Sequence, residues 1–151
     1  MKKNLISAVL ISATLVGCGD SKEQPSASTT AAPASSIVSS SDGSHQLTLK
    51  DGAKISVNGK LVRNVTFTNE SGTFQRYIFD VDEKTMSIEG TLFADMAKSG
   101  YNRVIKTDSP EVYAVHYQKK GFPSVGATYT SLETKQPDEN SKTRLMLLWK
   151  I

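Results

Sequence analysis

The chain has 151 residues, of which 38% are hydrophobic and 22% are charged. This length fits one modest folded domain, and the composition excludes collagen-like repeats and highly charged disordered chains. The single cysteine, Cys18, excludes an internal disulfide framework and a zinc site built from several cysteines. Eighteen Lys and Arg against 15 Asp and Glu give a formal net charge of +3, a mild basicity that specifies no partner.

The first 18 residues have the pattern of an export signal. Lys2 and Lys3 are followed by an uncharged, mostly apolar run over residues 5–16 and then by Cys18. The run is too short to cross a membrane as a helix, which takes about 20 apolar residues. It matches the central region of a secretory signal peptide, about 7–15 residues behind a basic start. We therefore expect the chain to be exported.

The four residues Leu15-Val16-Gly17-Cys18 resemble the lipobox of bacterial lipoproteins. The resemblance implies cleavage between Gly17 and Cys18, a diacylglyceryl thioether on Cys18, and an acyl chain such as palmitate on the new terminal amine. Three acyl chains would exceed the two signals that stable membrane anchoring usually requires. We expect no cofactor beyond these covalently attached acyl chains. The alternative, a buried and unreactive cysteine, fits poorly because Cys18 directly follows the apolar run.

The residue after Cys18 bears on the choice of membrane. It is Gly19, whereas lipoproteins retained in the inner membrane under the enterobacterial sorting pattern carry Asp there. We therefore expect a lipid-anchored protein of the bacterial outer membrane that faces the periplasm. Retention in the inner membrane and display on the cell surface are the alternatives.

Residues 18–44 are expected to form a tether between the signal peptide at 1–17 and a folded domain at 45–151. Ser, Thr, Ala and Pro dominate this segment, and it contains no aromatic residue. Such a composition cannot bury enough apolar surface to offset the entropy lost on ordering. A flexible chain of this length reaches about 30 Å on average. A Ser-rich strand or helix is the alternative.

The first part of the predicted domain alternates between apolar and polar residues, which indicates β-strands. The turn pairs Asp51-Gly52 and Asn58-Gly59 and the sequence NESG at 69–72 separate these strands. Four strands are predicted at 47–49, 55–57, 61–67 and 74–81. Because the connections are short, we expect an antiparallel meander.

The apolar period changes to three and four residues between Thr85 and Ser99, which predicts one helix with Gly100 just after its end. A polar loop is expected over 133–143. Four more strands are predicted at 103–107, 112–118, 125–132 and 145–149. The order β-β-β-β-α-β-β-β-β predicts an α+β fold, a mostly antiparallel sheet with one covering helix.

No catalytic constellation is evident, and we expect no enzyme. The chain has two histidines: His45 at the tether junction is expected to be solvated, and His116 is expected to be half-buried in a sheet. The stretch 121–126 has the spacing G-x-x-S-x-G and not that of the hydrolase nucleophile elbow, so Ser124 is interpreted as a turn residue.

We expect no metal site and no nucleic-acid partner. Asp80, Asp82 and Glu83 gather at a strand end, but no glycine-containing calcium loop follows and Lys84 adds a competing charge. These carboxylates are interpreted as a solvated strand end. No motif for RNA or DNA binding is present, and export would remove the protein from nucleic acid.

A small basic and aromatic cluster is the candidate site for a partner. It consists of Tyr117, Lys119, Lys120 and Phe122. Such a cluster suits an anionic partner, and a soluble hairpin tip is the alternative.

Three hypotheses for function remain open. The first is a non-enzymatic protein-binding or assembly module, anchored to the membrane by lipid and bound to an envelope or periplasmic protein. The second is an immunity lipoprotein that neutralises an antibacterial toxin in the periplasm. The third is a small-ligand carrier or envelope enzyme, which would need a pocket that gathers groups such as Asp80, His116 and Tyr117.

Overall fold

The computed structural model describes residues 36–132 and 142–151. The predicted signal peptide, the lipidation site Cys18, the tether up to residue 35 and most of the polar loop at 133–143 lie outside the described residues. The described residues form nine strands and one helix. They are β1 (Ser36–Ser39), β2 (Ser44–Thr48), β3 (Lys54–Asn58), β4 (Lys60–Asn69), β5 (Gly72–Val81), α1 (Thr85–Lys98), β6 (Asn102–Asp108), β7 (Val112–Gln118), β8 (Val125–Ser131) and β9 (Thr143–Lys150).

From β2 onward the elements follow the predicted order of four strands, one helix and four strands. The helix predicted over 85–99 is α1, and the strand predicted over 112–118 matches β7 at both ends. All paired strands are antiparallel. The predicted α+β class with a mostly antiparallel sheet is therefore confirmed.

The first four predicted strands do not form one meander, because they are divided between two sheets. A three-stranded sheet has the order β1-β2-β3, and a six-stranded sheet has the order β4-β5-β9-β8-β7-β6. Only Gly59 separates β3 from β4, which is too short a loop to reverse the chain into a hairpin. A Cβ at Gly59 would lie 2.7 Å from the carbonyl oxygen of Asp80, so a glycine is needed where the chain passes between the sheets.

Helix α1 ends at Lys98, so that Gly100 lies just after its end, as the sequence predicts. Gly100 has a φ of 80°, a left-handed conformation that glycine adopts without steric cost. The amides of Gly100 and Tyr101 donate to the carbonyls of Ala97 and Met96, each at 3.0 Å. These bonds give partners to carbonyls that the last helical turn would otherwise leave unpaired.

Helix α1 and the three-stranded sheet pack on one face of the six-stranded sheet, which we call its inner face. Their buried side chains and those of the larger sheet form one cluster. Its members with an exposed fraction of 1% or less include Leu47, Ile55, Leu92, Met96, Tyr77, Phe79, Tyr117, Tyr129, Leu145 and Leu147. Burying one such leucine, isoleucine or phenylalanine contributes about 1.5–3 kcal/mol. This cluster therefore holds the helix and both sheets together.

Strand β1 lies in the segment for which the sequence predicted a tether. It pairs with β2, with Ile37 opposite Leu47, and the Ile37 side chain packs against the core. The folded part therefore includes residues 36–44, ahead of the predicted start at 45. Ile37-Val38 is the one pair of large apolar residues in the tether segment. A composition averaged over the whole segment does not reveal that this pair can form a strand.

The expectation that His45 is solvated is wrong. Its side chain is buried, its Nε2 donates to the Gly59 carbonyl oxygen at 2.9 Å, and its Nδ1 lies 2.8 Å from the Ser39 hydroxyl. The ring centroid is 5.2 Å from that of Phe79. The prediction fails because it does not include strand β1, in which Ser39 pairs with His45.

Candidate functional site

The structure does not keep the four residues of the predicted partner-binding cluster together on one surface. The Tyr117 side chain is fully buried on the inner face, where its hydroxyl donates to Glu89 Oε1 at 3.4 Å. Lys119 and Phe122 remain together, with the Lys119 ammonium 4.9 Å from the Phe122 ring centroid. Lys120 is exposed. Tyr117 is therefore a core residue, and the other three lie at the turn between β7 and β8.

The Lys119 ammonium forms a salt bridge within the fold. Its Nζ donates to Asp51 Oδ2 at 2.8 Å, and the Asp51 side chain is 1% exposed. Burial by itself would raise the pKa of Asp51, but the hydrogen bonds from Lys119 and from the Ala53 amide hold that pKa below its ordinary value. Lys119 therefore stabilises a buried carboxylate and is not a free binding group.

The carboxylates at the end of β5 do not act as one solvated group. Asp80 is buried and accepts two hydrogen bonds from Arg144, at 2.7 and 2.8 Å. Asp82 is exposed, with one oxygen 3.9 Å from Lys142 Nζ. The expectation of a solvated strand end is therefore wrong for Asp80. Among the described residues, no group of three or more His, Cys, Asp or Glu side chains could hold a metal ion.

His116 is exposed and not half-buried as expected. It lies on the face of the sheet opposite to Tyr117, because the two are consecutive in β7. Asp80 lies on β5, which is separated from β7 by β8 and β9. The three groups that a carrier or enzyme pocket was expected to gather are therefore not brought together.

A buried carboxylate that the sequence analysis did not single out lies on α1. Glu89 is 3% exposed, and its Oε1 accepts a hydrogen bond from Arg103 Nη1 at 2.9 Å as well as the Tyr117 hydroxyl. This ion pair raises the pKa of Arg103. Position 89 shares the inward stripe of α1 with Leu92 and Met96, so a polar residue in an apolar stripe is the signal that could have found it.

The face of the six-stranded sheet that points away from α1 is its outer face. No helix or strand within residues 36–132 and 142–151 covers it. Its apolar side chains are half-buried, whereas most of those on the inner face are buried. They are Val65 and Phe67 on β4, Phe74 and Ile78 on β5, Val104 on β6, Val112 and Ala114 on β7, and Met146 and Leu148 on β9.

Strand β9 is apolar on both of its faces. Leu145, Leu147 and Trp149 point to the inner face and are 3% exposed or less, whereas Met146 and Leu148 are half-buried on the outer face. A continuous apolar run is typical of a strand that is covered on both sides, while a strand with one solvated face alternates. Within the described residues, however, β9 is covered on one side only.

The outer face carries an excess of basic side chains. Its acidic side chain is Asp80, and its basic side chains are Lys60, Arg63, Arg76, Arg144 and Lys150. Arg144 is paired with Asp80. The other four cations form no salt bridge with a described residue, and the whole chain has a net charge of only +3. The charge is therefore concentrated and not spread evenly.

Arg76 lies at the centre of this charge. Its guanidinium carbon is 4.8 Å from the Phe67 ring centroid, and Phe67 stacks on Phe74 with centroids 5.6 Å apart. The Arg76 Nε atom is buried and has no hydrogen-bond partner among the described residues. Buried donors without an acceptor are uncommon in folded proteins, so this atom calls for an explanation.

A cavity of about 360 Å³ lies over Gly126 on the outer face. Its walls include Phe74, His116, Leu148 and Lys150. Gly126 pairs with His116 on one side and with Leu148 on the other, so the missing side chain leaves a gap between these two neighbours, near the start of β8. A Cβ at this position would be 3.6 Å from His116 Nε2, an ordinary contact, so the glycine is not imposed by crowding.

No protein-family model, no curated protein and no solved structure matches the chain. In the part of the chain that the structure describes, no helix is both long and apolar enough to span a membrane.

Proposed function

We propose that the chain is a lipid-anchored envelope lipoprotein whose domain binds a protein partner in the periplasm and performs no catalysis. Two features support this. The sequence Leu15-Val16-Gly17-Cys18 resembles a lipobox, and the outer face of the six-stranded sheet offers a surface for a partner. The proposal is that the anchor holds the domain beside the membrane while the outer face docks.

The main support for the binding proposal is that β9 has apolar side chains on both of its faces. The free energy gained by removing Met146 and Leu148 from water is realised only if something covers them. Contiguous apolar surface with a polar rim is characteristic of protein–protein interfaces, and arginine is enriched at their centres. Arg76, set between Phe67 and Leu148, has this position.

The test of the binding proposal is site-specific photo-crosslinking in the envelope of the native host. A photoreactive amino acid is placed at Thr128, in the middle of the outer face, and at Ala94 on the exposed side of α1 as the matched control. We expect a discrete protein adduct from position 128 that is absent from position 94. No adduct at either position, or the same adducts at both, would contradict the proposal.

Mass spectrometry of the adduct separates the two protein-binding hypotheses. An envelope component supports an assembly module, whereas a secreted antibacterial toxin supports the immunity alternative. The anchor is tested separately, because Cys18→Ser is expected to abolish labelling by a fatty-acid probe. Labelling that persists in the Cys18→Ser chain would contradict the lipoprotein assignment.

A further inference from the structure

Two features of the outer face are separated by about two strand spacings. Arg76 pairs with Leu148, and Leu148 pairs with Gly126 on the next strand. With about 4.8 Å between neighbouring strands, the backbone positions of Arg76 and Gly126 are roughly 10 Å apart. A single short segment of a partner can therefore reach both.

We infer that the outer face binds an acidic segment of a partner protein, which inserts one large apolar side chain into the cavity over Gly126. This inference rests on the proposed function and specifies the chemistry of the partner. The cavity binds the apolar side chain, and the surrounding cations favour an acidic segment over a basic or uncharged one.

The cavity has room for a large apolar side chain and for part of the segment that carries it, because a cavity of about 150 Å³ already holds a benzene ring. Its volume of about 360 Å³ lies at the low end of the roughly 300–1,000 Å³ typical of ligand pockets. Phe74 and Leu148 supply apolar walls. Binding hot spots usually place an aromatic or aliphatic anchor in such a depression, surrounded by contacts that exclude water. A leucine or phenylalanine of the partner would fill the gap that Gly126 leaves.

The charges around the cavity call for carboxylates. Arg63, Arg76 and Lys150 lie on the same face and form no salt bridge with a described residue. Arginine binds carboxylates through paired N–H donors, and the Arg76 side chain as a whole is half-buried and not fully enclosed. A partner aspartate or glutamate would pair with these cations and neutralise the local charge.

A protein segment fits this face better than a lipid surface. Membrane-bound surfaces bury apolar side chains about 5–10 Å into the interface, so these side chains must protrude. Among the large hydrophobic side chains with high exposure, Val38, Met86 and Phe122 lie outside the six-stranded sheet, whereas Val62 and Ile105 lie on its edge strands β4 and β6. The apolar side chains of the outer face are half-buried in the pleat. A partner that follows the surface can contact them, whereas a flat headgroup layer cannot.

The test uses a defined probe, a phage-displayed library of random nine-residue peptides selected against the full chain in detergent. We expect the enriched peptides to be acidic and to contain one central aromatic or large aliphatic residue. Enrichment of basic or uncharged peptides, or no enrichment at all, would overturn the inference.

The best peptide is then measured by fluorescence anisotropy against three variants. Gly126→Leu fills the cavity at a position that has room for a Cβ, and Arg76→Glu reverses the central charge. Each is expected to weaken binding by about tenfold or more. Lys54→Glu makes the same charge change on the exposed side of β3 and is expected to stay within about twofold. Equal weakening by Arg76→Glu and Lys54→Glu would overturn the inference, because net charge alone would then explain binding.

Two further results separate this inference from its alternatives. Sedimentation of the Cys18→Ser chain with phosphatidylglycerol vesicles in an Arg76-dependent manner, without acidic peptides in the selection, would assign the face to lipid. An adduct from position 128 that persists in the Arg76→Glu and Gly126→Leu variants would overturn the inference and leave the proposed function standing. Loss of that adduct in both variants, with unchanged thermal unfolding, supports it.

Discussion

The two faces of the six-stranded sheet are built from the same strands and differ in how their polar groups are satisfied. On the inner face, the buried Glu89 carboxylate accepts hydrogen bonds from Arg103 and Tyr117. On the outer face, four cations have no carboxylate among the described residues, and the Arg76 Nε has no acceptor. The Tyr129 hydroxyl on the inner face also lacks a partner among the described residues. The contrast therefore lies in charge and cover: the inner face is packed against α1 and the three-stranded sheet, whereas the outer face has cations without a carboxylate and uncovered apolar surface. The difference indicates stability on one side and binding on the other.

The largest effect on the free energy of unfolding is expected when two consecutive leucines on opposite faces, Leu147 and Leu148, are compared. Leu147→Ala removes a fully buried inner-face side chain and is expected to lower the free energy of unfolding by about 2–5 kcal/mol. Leu148→Ala removes a half-buried outer-face side chain and is expected to cost less than about 1 kcal/mol. Urea unfolding of both variants measures the difference. Equal losses would mean that the outer face is packed within the fold as tightly as the inner face.

The next comparison uses the two consecutive lysines of the predicted cluster. Lys119→Ala leaves the buried Asp51 carboxylate without its main donor and is expected to cost about 1–3 kcal/mol. Lys120→Ala changes an exposed residue and is expected to stay within about 0.5 kcal/mol. If thermal unfolding is unchanged by Lys119→Ala, then Lys119 is free for binding and its assignment to the fold is wrong.

A third prediction concerns alkaline pH. Burial is the largest cause that raises the pKa of all five tyrosines, including Tyr117 and Tyr129. In the unfolded chain these groups ionise near pH 10. Stability is therefore fully present below pH 10 and falls as the pH rises above it, by on the order of 1 kcal/mol per pH unit for each proton that the folded state retains.

Phenolate absorbance measures this behaviour directly. In the folded chain the phenolate signal is expected to appear together with unfolding, and Tyr129→Phe is expected to reduce the loss of stability above pH 10. Independent titration of all five tyrosines near pH 10, with the fold intact, would show that they are open to water.

The smallest effect is expected at His116. Because this side chain is exposed, His116→Ala should leave the free energy of unfolding within about 0.5 kcal/mol of the original. A loss above about 1 kcal/mol in urea unfolding would mean that part of the outer face contributes to the folded core, and would weaken the contrast between the two faces.

Local patterns in the sequence were enough to predict the elements but not how they are arranged. The helical spacing of α1, the glycine at its end and the alternation of β7 depend on near neighbours, and all three predictions are confirmed. The division into two sheets depends on Gly59 passing beside Asp80, a contact between residues far apart in the chain. Strand β1 was missed because two apolar residues in a Ser-rich segment form a strand only where β2 offers an edge.

One pattern in the sequence indicates that the outer face is a surface to be covered. The continuous apolar run of residues 145–149 differs from the alternation of β7 and indicates a strand with two faces to cover. Tyr117 and Lys119 are separated because β7 ends at Gln118, so that Tyr117 is the last inner-face residue of the strand and Lys119 lies in the turn that follows. The salt bridge of Lys119 with Asp51 is a contact between distant residues, so no local pattern indicates it.

Methionine oxidation in intact envelopes tests most directly whether the outer face is covered. Met146 lies on the outer face, and Met86 is an exposed reference on α1. Both are oxidised to the sulfoxide in proportion to their access to the oxidant, and mass spectrometry reports each rate. We predict that Met146 reacts more slowly in envelopes than in the purified chain while Met86 reacts at the same rate in both. Equal Met146 rates in envelopes and in the purified chain would contradict a docked outer face.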